Sequence, residues 1–184
     1  MMELLAMGSD HDAAREVAAA LGGRAYVNHE GESDKRPYST LVRASTDRPE
    51  ALAPVADVAL HVIYARQIKA PSGAPSAERV IGSFPLLHHP DLTHRAADDH
   101  WRDVHGPLAL VSHSAMCDYE QLSVVATLSG PPVDGVAMCA FDSRDDLRHR
   151  FFDDDDARAA IEADVAQFAD LKRSPRRVVL RQVH

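Results

Sequence analysis

The chain has 184 residues, enough for one domain or two small ones, and its 45% hydrophobic content can supply a packed core. A formal net charge of −8, with no basic run long enough to follow a phosphate backbone, excludes nucleic acid as the expected partner. No stretch approaches the ~20 apolar residues of a membrane helix, the first residues lack a basic segment followed by a long apolar one, and the two cysteines, Cys117 and Cys139, make no disulfide framework, so the expectation is a soluble cytoplasmic protein with no membrane partner and free, buried thiols.

Residues 2–7 (MELLAM) predict a short strand. Ser9 is the expected N-cap of a helix whose apolar positions Ala14, Val17, Ala18 and Leu21 recur at helical spacing, and Gly22-Gly23 ends it. Strands are expected at Arg24–Asn28 and Tyr38–Arg43, separated by a polar loop over 29–37. A turn, with at most one helical turn, covers 45–54, and a long strand lies within Val55–Lys69. The stretch 70–77 (APSGAPSA) is the clearest linker.

Beyond it, Arg79–Leu87 predicts a strand and Thr93 or Asp91 caps a helix. On that helix Ala97, Trp101, Val104 and Leu108 draw one apolar stripe, and Gly106-Pro107 is expected to break or kink it after His105. Strands follow at Ala115–Thr127 and Val136–Asp142, with one or two helical turns over 143–150. The strongest helix begins at the aspartate run 153–156, where the helix dipole favours negative charge. It buries Ala157, Ile161, Val165 and Phe168, places Lys172 and Arg173 at its C-terminal end, and stops at Ser174-Pro175. The last strand is Arg176–His184.

The second part therefore reads strand, helix, strand, strand, helix, strand, which is the ferredoxin-like order of an α+β fold. The first part reads as a degenerate version of it. The expected division is 1–70 and 78–184, two ferredoxin-like halves joined by 71–77.

The run 85–110 contains a Trp on a helix, Trp101, followed by His105-Gly106-Pro107-Leu108. Asp134-Gly135-Val136-Ala137, then Phe141-Asp142-Ser143, then Asp164, Phe168 and Asp170 follow in order. In that order and spacing, residues from about 79 to 184 resemble the EthD family. The resemblance implies a dimeric α+β barrel in which two ferredoxin-like sheets pack face to face around a cavity. Relatives are associated with polyketide cyclisation or dehydration, lactone isomerisation and ether degradation, and related barrels include cofactor-free monooxygenases. Either one chain supplies both sheets, as a pseudo-dimeric monomer, or a homodimer carries an N-terminal extension.

Five histidines crowd one stretch: His88, His89, His94, His100 and His105. On an ideal α-helix His100 and His105 point roughly 140° apart, and His94 and His105 lie ~16 Å apart along the axis. Neither pair matches a chelating His-x-x-x-His, so no metal is assigned; nothing in the sequence singles out an axial haem ligand, and no cofactor is expected. His105 borders the apolar stripe, where burial favours the neutral imidazole that can act as a base. It is either a catalytic or ligand-contacting group or one that satisfies a backbone carbonyl. On the following strand Cys117, Tyr119, Gln121 and Ser123 alternate onto one face, which is either a ligand-facing wall or a solvated surface. Asp164 and Asp170 are expected to hold loops through backbone N–H groups. The chain lacks Gly-x-Ser-x-Gly, Walker A and Gly-x-Gly-x-x-Gly motifs.

With the family resemblance, these readings predict a small cofactor-free enzyme acting on an apolar, carbonyl-bearing substrate in a barrel cavity. His105 would move a proton and Tyr119 would stabilise the oxygen where charge gathers. Trp101, Gln121, Ser123 and His88 would contact the substrate. The alternative is a non-catalytic binding or accessory protein using the same barrel.

Overall fold

The computed structural model describes residues 2–29, 36–71 and 76–184. In chain order it forms β1 (Met2–Gly8), α1 (His11–Leu21), β2 (Arg24–Asn28), β3 (Thr40–Ala44), two 3-10 turns, β4 (Ala59–Lys69), β5 (Val80–Leu86) and α2 (His94–His100). A π-helical segment (Trp101–His105) leads into α3 (Gly106–Ser112). β6 (Met116–Ser129), β7 (Gly135–Phe141), α4 (Arg144–His149), α5 (Asp155–Phe168) and β8 (Val178–Gln182) complete it. The eight strands close in the order β1-β3-β2-β8-β5-β7-β6-β4, every neighbouring pair antiparallel. One chain thus supplies all the strands of the barrel. Residues 72–75 of the expected linker lie outside the described residues.

The pleat divides each strand between two environments. Leu5, Leu41, Ile63, Leu122, Met138 and Leu180 belong to one continuous buried cluster inside the barrel. Their alternates face outward. Leu4, Val42 and Leu60 pack with Ala14 and Ala18 of α1, while Val80, Tyr119, Cys139 and Phe141 pack with Ala109, Leu147 and Ile161 of the C-terminal helices. Toward one end the interior turns ionic: Arg43, 2% exposed, joins Glu3 at 2.9 Å and Glu120 at 2.7 Å. Beyond this network a charged cavity of about 660 Å³ opens at the barrel mouth, walled by Arg24, Asp118, Glu120 and Met138. Among the described residues no helix is long and apolar enough to cross a membrane.

Local chemistry shifts several expected boundaries. Asp10, not Ser9, caps α1, its carboxylate accepting from the N–H groups of Asp12 and Ala13. Gly22 ends that helix at φ 60°, a conformation glycine adopts at little cost. The final helix stops at Phe168, so Lys172 and Arg173 lie beyond it, where Asp170 accepts from their backbone N–H groups. Gly106-Pro107 does not break the helix. The chain runs on through the π turn, and Pro107 falls in the first turn of α3, where its missing N–H is tolerated.

A bulge between Met116 and Asp118 corrects the expected face of β6. It turns Cys117 into the barrel interior and Tyr119 out beneath the helices. Tyr119 and Gln121 therefore face the helix layer and not a cavity inside the barrel.

Candidate active site

The geometry of the site begins with the π turn. The Gly106 N–H bonds to the Trp101 carbonyl five residues back, so this segment takes more residues per turn than an α-helix. His100 and His105, which α-helical geometry would point apart, are brought onto the same neighbour. His100 Nε2 lies 2.8 Å from Asp164 Oδ1, and His105 Nδ1 lies 2.8 Å from Asp164 Oδ2. Phe168, one turn along α5 from Asp164, packs against both rings at centroid distances of 5.3 and 5.2 Å.

Asp164 is buried, and an ionised carboxylate is an acceptor only. It holds the His105 proton on Nδ1 and leaves the Nε2 lone pair free. Nε2 makes no hydrogen bond among the described residues, and His105 borders an apolar cavity of about 340 Å³ between the helices and the outer sheet face. Burial lowers the His105 pKa below its ordinary 6.5, and the bond to Asp164 opposes that shift without reversing it. The group is therefore a neutral, oriented imidazole at neutral pH.

Tyr119 lines the same cavity. Its hydroxyl oxygen accepts from Trp101 Nε1 at 3.1 Å and from Gln121 Nε2 at 3.2 Å. With both acceptor positions taken, the phenolic proton remains available as a donor. Burial raises the Tyr119 pKa well above its ordinary value, which keeps that proton in place. His113 adds a second imidazole to the lining. Its Nδ1 meets the Phe151 carbonyl, and burial lowers its pKa as well. Cys139 also lines the cavity, but burial pushes its thiol up to about 12, so it is a protonated apolar wall rather than a nucleophile.

The remaining expected contacts stand behind this lining. Trp101 reaches the cavity, whereas Gln121 and Ser123 do not. Gln121 ties the Trp101 carbonyl, at 2.8 Å, to the Tyr119 hydroxyl, and Ser123 lies close enough to Asp98 to help hold that carboxyl below its usual range. Asp98 in turn pairs with Arg66, which stacks over the Trp101 ring at 5.6 Å. His88 is elsewhere: its ring Nδ1 and backbone N both meet Asp134 Oδ2 at 2.7 Å, bracing the loop before β7. Gln121, Ser123 and His88 thus stand outside the cavity lining. Alternation along a strand gives the face but not the helix that covers it.

Sequence reasoning missed Asp164 as a side-chain partner and His113 altogether. The spacing of Asp164 and Phe168 on one helical face was a usable signal for the first. Among the described residues no group of three or more His, Cys, Asp or Glu is placed to hold a metal ion.

The model of the EthD domain matches residues 89–172, the stretch that carries Trp101, His105, Tyr119 and Asp164. This part of the chain is EthD-like. No curated protein sequence matches the chain significantly. Among solved structures, an anthrone oxidase-like protein aligns with a TM-score of 0.57 at 13% identity, covering 100% of this chain and 90% of its own. A "putative monooxygenase" from Fusobacterium nucleatum subsp. nucleatum aligns with a TM-score of 0.59 at 9% identity, covering 100% of this chain and 92% of its own. At these identities the likeness is one of fold.

Proposed function

We propose that this EthD-like protein is a cofactor-free enzyme that removes a proton next to the carbonyl of an apolar substrate held between sheet and helices. The observation that carries the reading is the buried Asp164–His105 pair, with His105 Nε2 unpartnered at the wall of an apolar cavity. His105 Nε2 takes the proton as general base, and Asp164 stabilises the imidazolium that forms. The Tyr119 hydroxyl donates to the oxygen on which the enolate charge gathers. A water-poor lining strengthens both interactions.

Proton abstraction is a first step shared by cyclases, dehydratases, lactone isomerases and cofactor-free monooxygenases. The names of the two similar structures favour oxygenation, in which the carbanion of an activated CH₂ reacts with dioxygen to give C=O and water. The barrel is read as two ferredoxin-like halves in one chain. The halves supply between them the sheets that a homodimer would otherwise bring together, so the working unit is a pseudo-dimeric monomer.

The test is a panel of apolar ketones, anthrones, lactones and quinols, followed by product mass spectrometry and oxygen uptake. His105→Ala is expected to lower kcat/KM by about 10²- to 10⁴-fold and Tyr119→Phe by about 10²-fold. Full turnover in both variants would overturn the assignment. Tight retention of a compound without any product would favour the binding-protein reading.

A further inference from the structure

The cavity that His105 faces has a charge pattern opposite to that of the chain. The protein is acidic overall, with 28 Asp and Glu against 20 Lys and Arg, yet among the described residues no Asp or Glu lines this cavity. Among the described residues its only formally charged side chains are Arg176 and Arg177, neighbours on the segment between α5 and β8. Both are exposed, and neither guanidinium makes an ion pair or hydrogen bond among the described residues. Elsewhere the buried or half-buried arginines are committed: Arg43 to Glu3 and Glu120, Arg66 to Asp98, Arg79 to Asp142. The rest of the lining is apolar apart from His105, His113, Tyr119, Ser174 and the Trp101 N–H.

From this arrangement we infer that the substrate is amphipathic, an apolar ring system or chain bearing a carboxylate that Arg176 and Arg177 hold at the cavity rim. This rests on the proposed function and extends it, because it fixes which end of the substrate enters first. The apolar body passes inward along Phe84, Ile161 and Val165, and the carboxylate stays where water still reaches it. A guanidinium suits that task, since its planar fork meets a carboxylate through two parallel N–H donors. Two adjacent ones also lower the cost of bringing an anion to an acidic protein.

The experiment compares two neutral-bodied probes of equal shape, naphthalene-2-carboxylate and naphthalene-2-carboxamide, by calorimetry on the full chain at low salt. The carboxylate is expected to bind roughly fivefold more tightly, as suits charges at a wet rim, with the advantage shrinking at high salt. In the Arg176→Gln/Arg177→Gln double variant the preference disappears while carboxamide affinity is unchanged. Circular dichroism checks that the variant folds. Equal binding of the two probes by the wild type, or a preference that survives in the double variant, overturns this inference alone and leaves the cavity as a ligand site. If neither probe binds, the functional reading falls and the inference with it.

Discussion

His105 is held by opposing forces whose balance is measurable. Burial disfavours its charged form, and Asp164 favours it; burial prevails, so the folded pKa lies below 6.5. Activity that needs the neutral imidazole should therefore persist below pH 6.5 and fall only as pH drops through the depressed value. Replacing Asp164 with Asn removes the raising influence. The acid limb should shift to still lower pH, while the plateau of kcat/KM drops by about 10²-fold or more because the imidazolium is no longer stabilised. An unmoved limb would show that Asp164 does nothing for the base. The same lowering bears on stability. Between the folded value and 6.5 the unfolded chain binds the proton and the native one does not, so His105 and His113 contribute stability above 6.5 that is lost as pH falls. The burial of His105 was legible in the sequence, from its place beside Trp101 on an apolar stripe. Asp164 was legible only through its helical spacing from Phe168, because a carboxylate on a helix is ordinarily solvated and the packing of α5 against the π turn is what buries it.

At the scale of elements, the strands were readable nearly to their ends because β-branched and apolar residues alternate in them. Two irregularities were not readable. The segment Trp101–His105 has the composition of an ordinary α-helix, and its π geometry depends on contacts with α5 and β6. The bulge at Met116/Asp118 adds one residue to β6 and so reverses which alternates meet the core. Gly135 of β7 lies against the ring of Trp101 in the π turn. A Cβ there would lie 2.5 Å from Trp101 Cζ3 and 3.0 Å from Cη2. Since the Trp101 ring is buried, it cannot swing clear without disturbing Tyr119 and Arg66. Gly135→Ala should cost about 1–3 kcal/mol and shift the emission of the chain's single tryptophan. Unchanged emission and stability would mean that the sheet and the π turn do not depend on that close approach.

At the scale of the whole molecule, a closed barrel leaves no sheet edge unpaired, and the chain achieves closure by joining β2 to β8 and β4 to β6. Toward one end of the barrel, the interior side chains that link the two groups of four strands are charged. Arg43 of β3 reaches across to Glu120 of β6 while holding Glu3 of β1, and Arg24 of β2 meets the same Glu120 at 3.3 Å. Three strands of the first group are thus tied through Arg43, Glu3 and Arg24 to Glu120 on a strand of the second. The network adds little net stability over an apolar core of equal volume, because the desolvation of its charges offsets their attraction. Breaking it is another matter. Arg43→Met strands Glu120 and Glu3 without their main partner and should destabilise the protein by about 3–5 kcal/mol in urea unfolding. Adding Glu120→Gln removes one of the stranded charges and should restore part of that loss. A double variant no more stable than Arg43→Met alone would mean that Arg43 acts by filling the barrel rather than by charge.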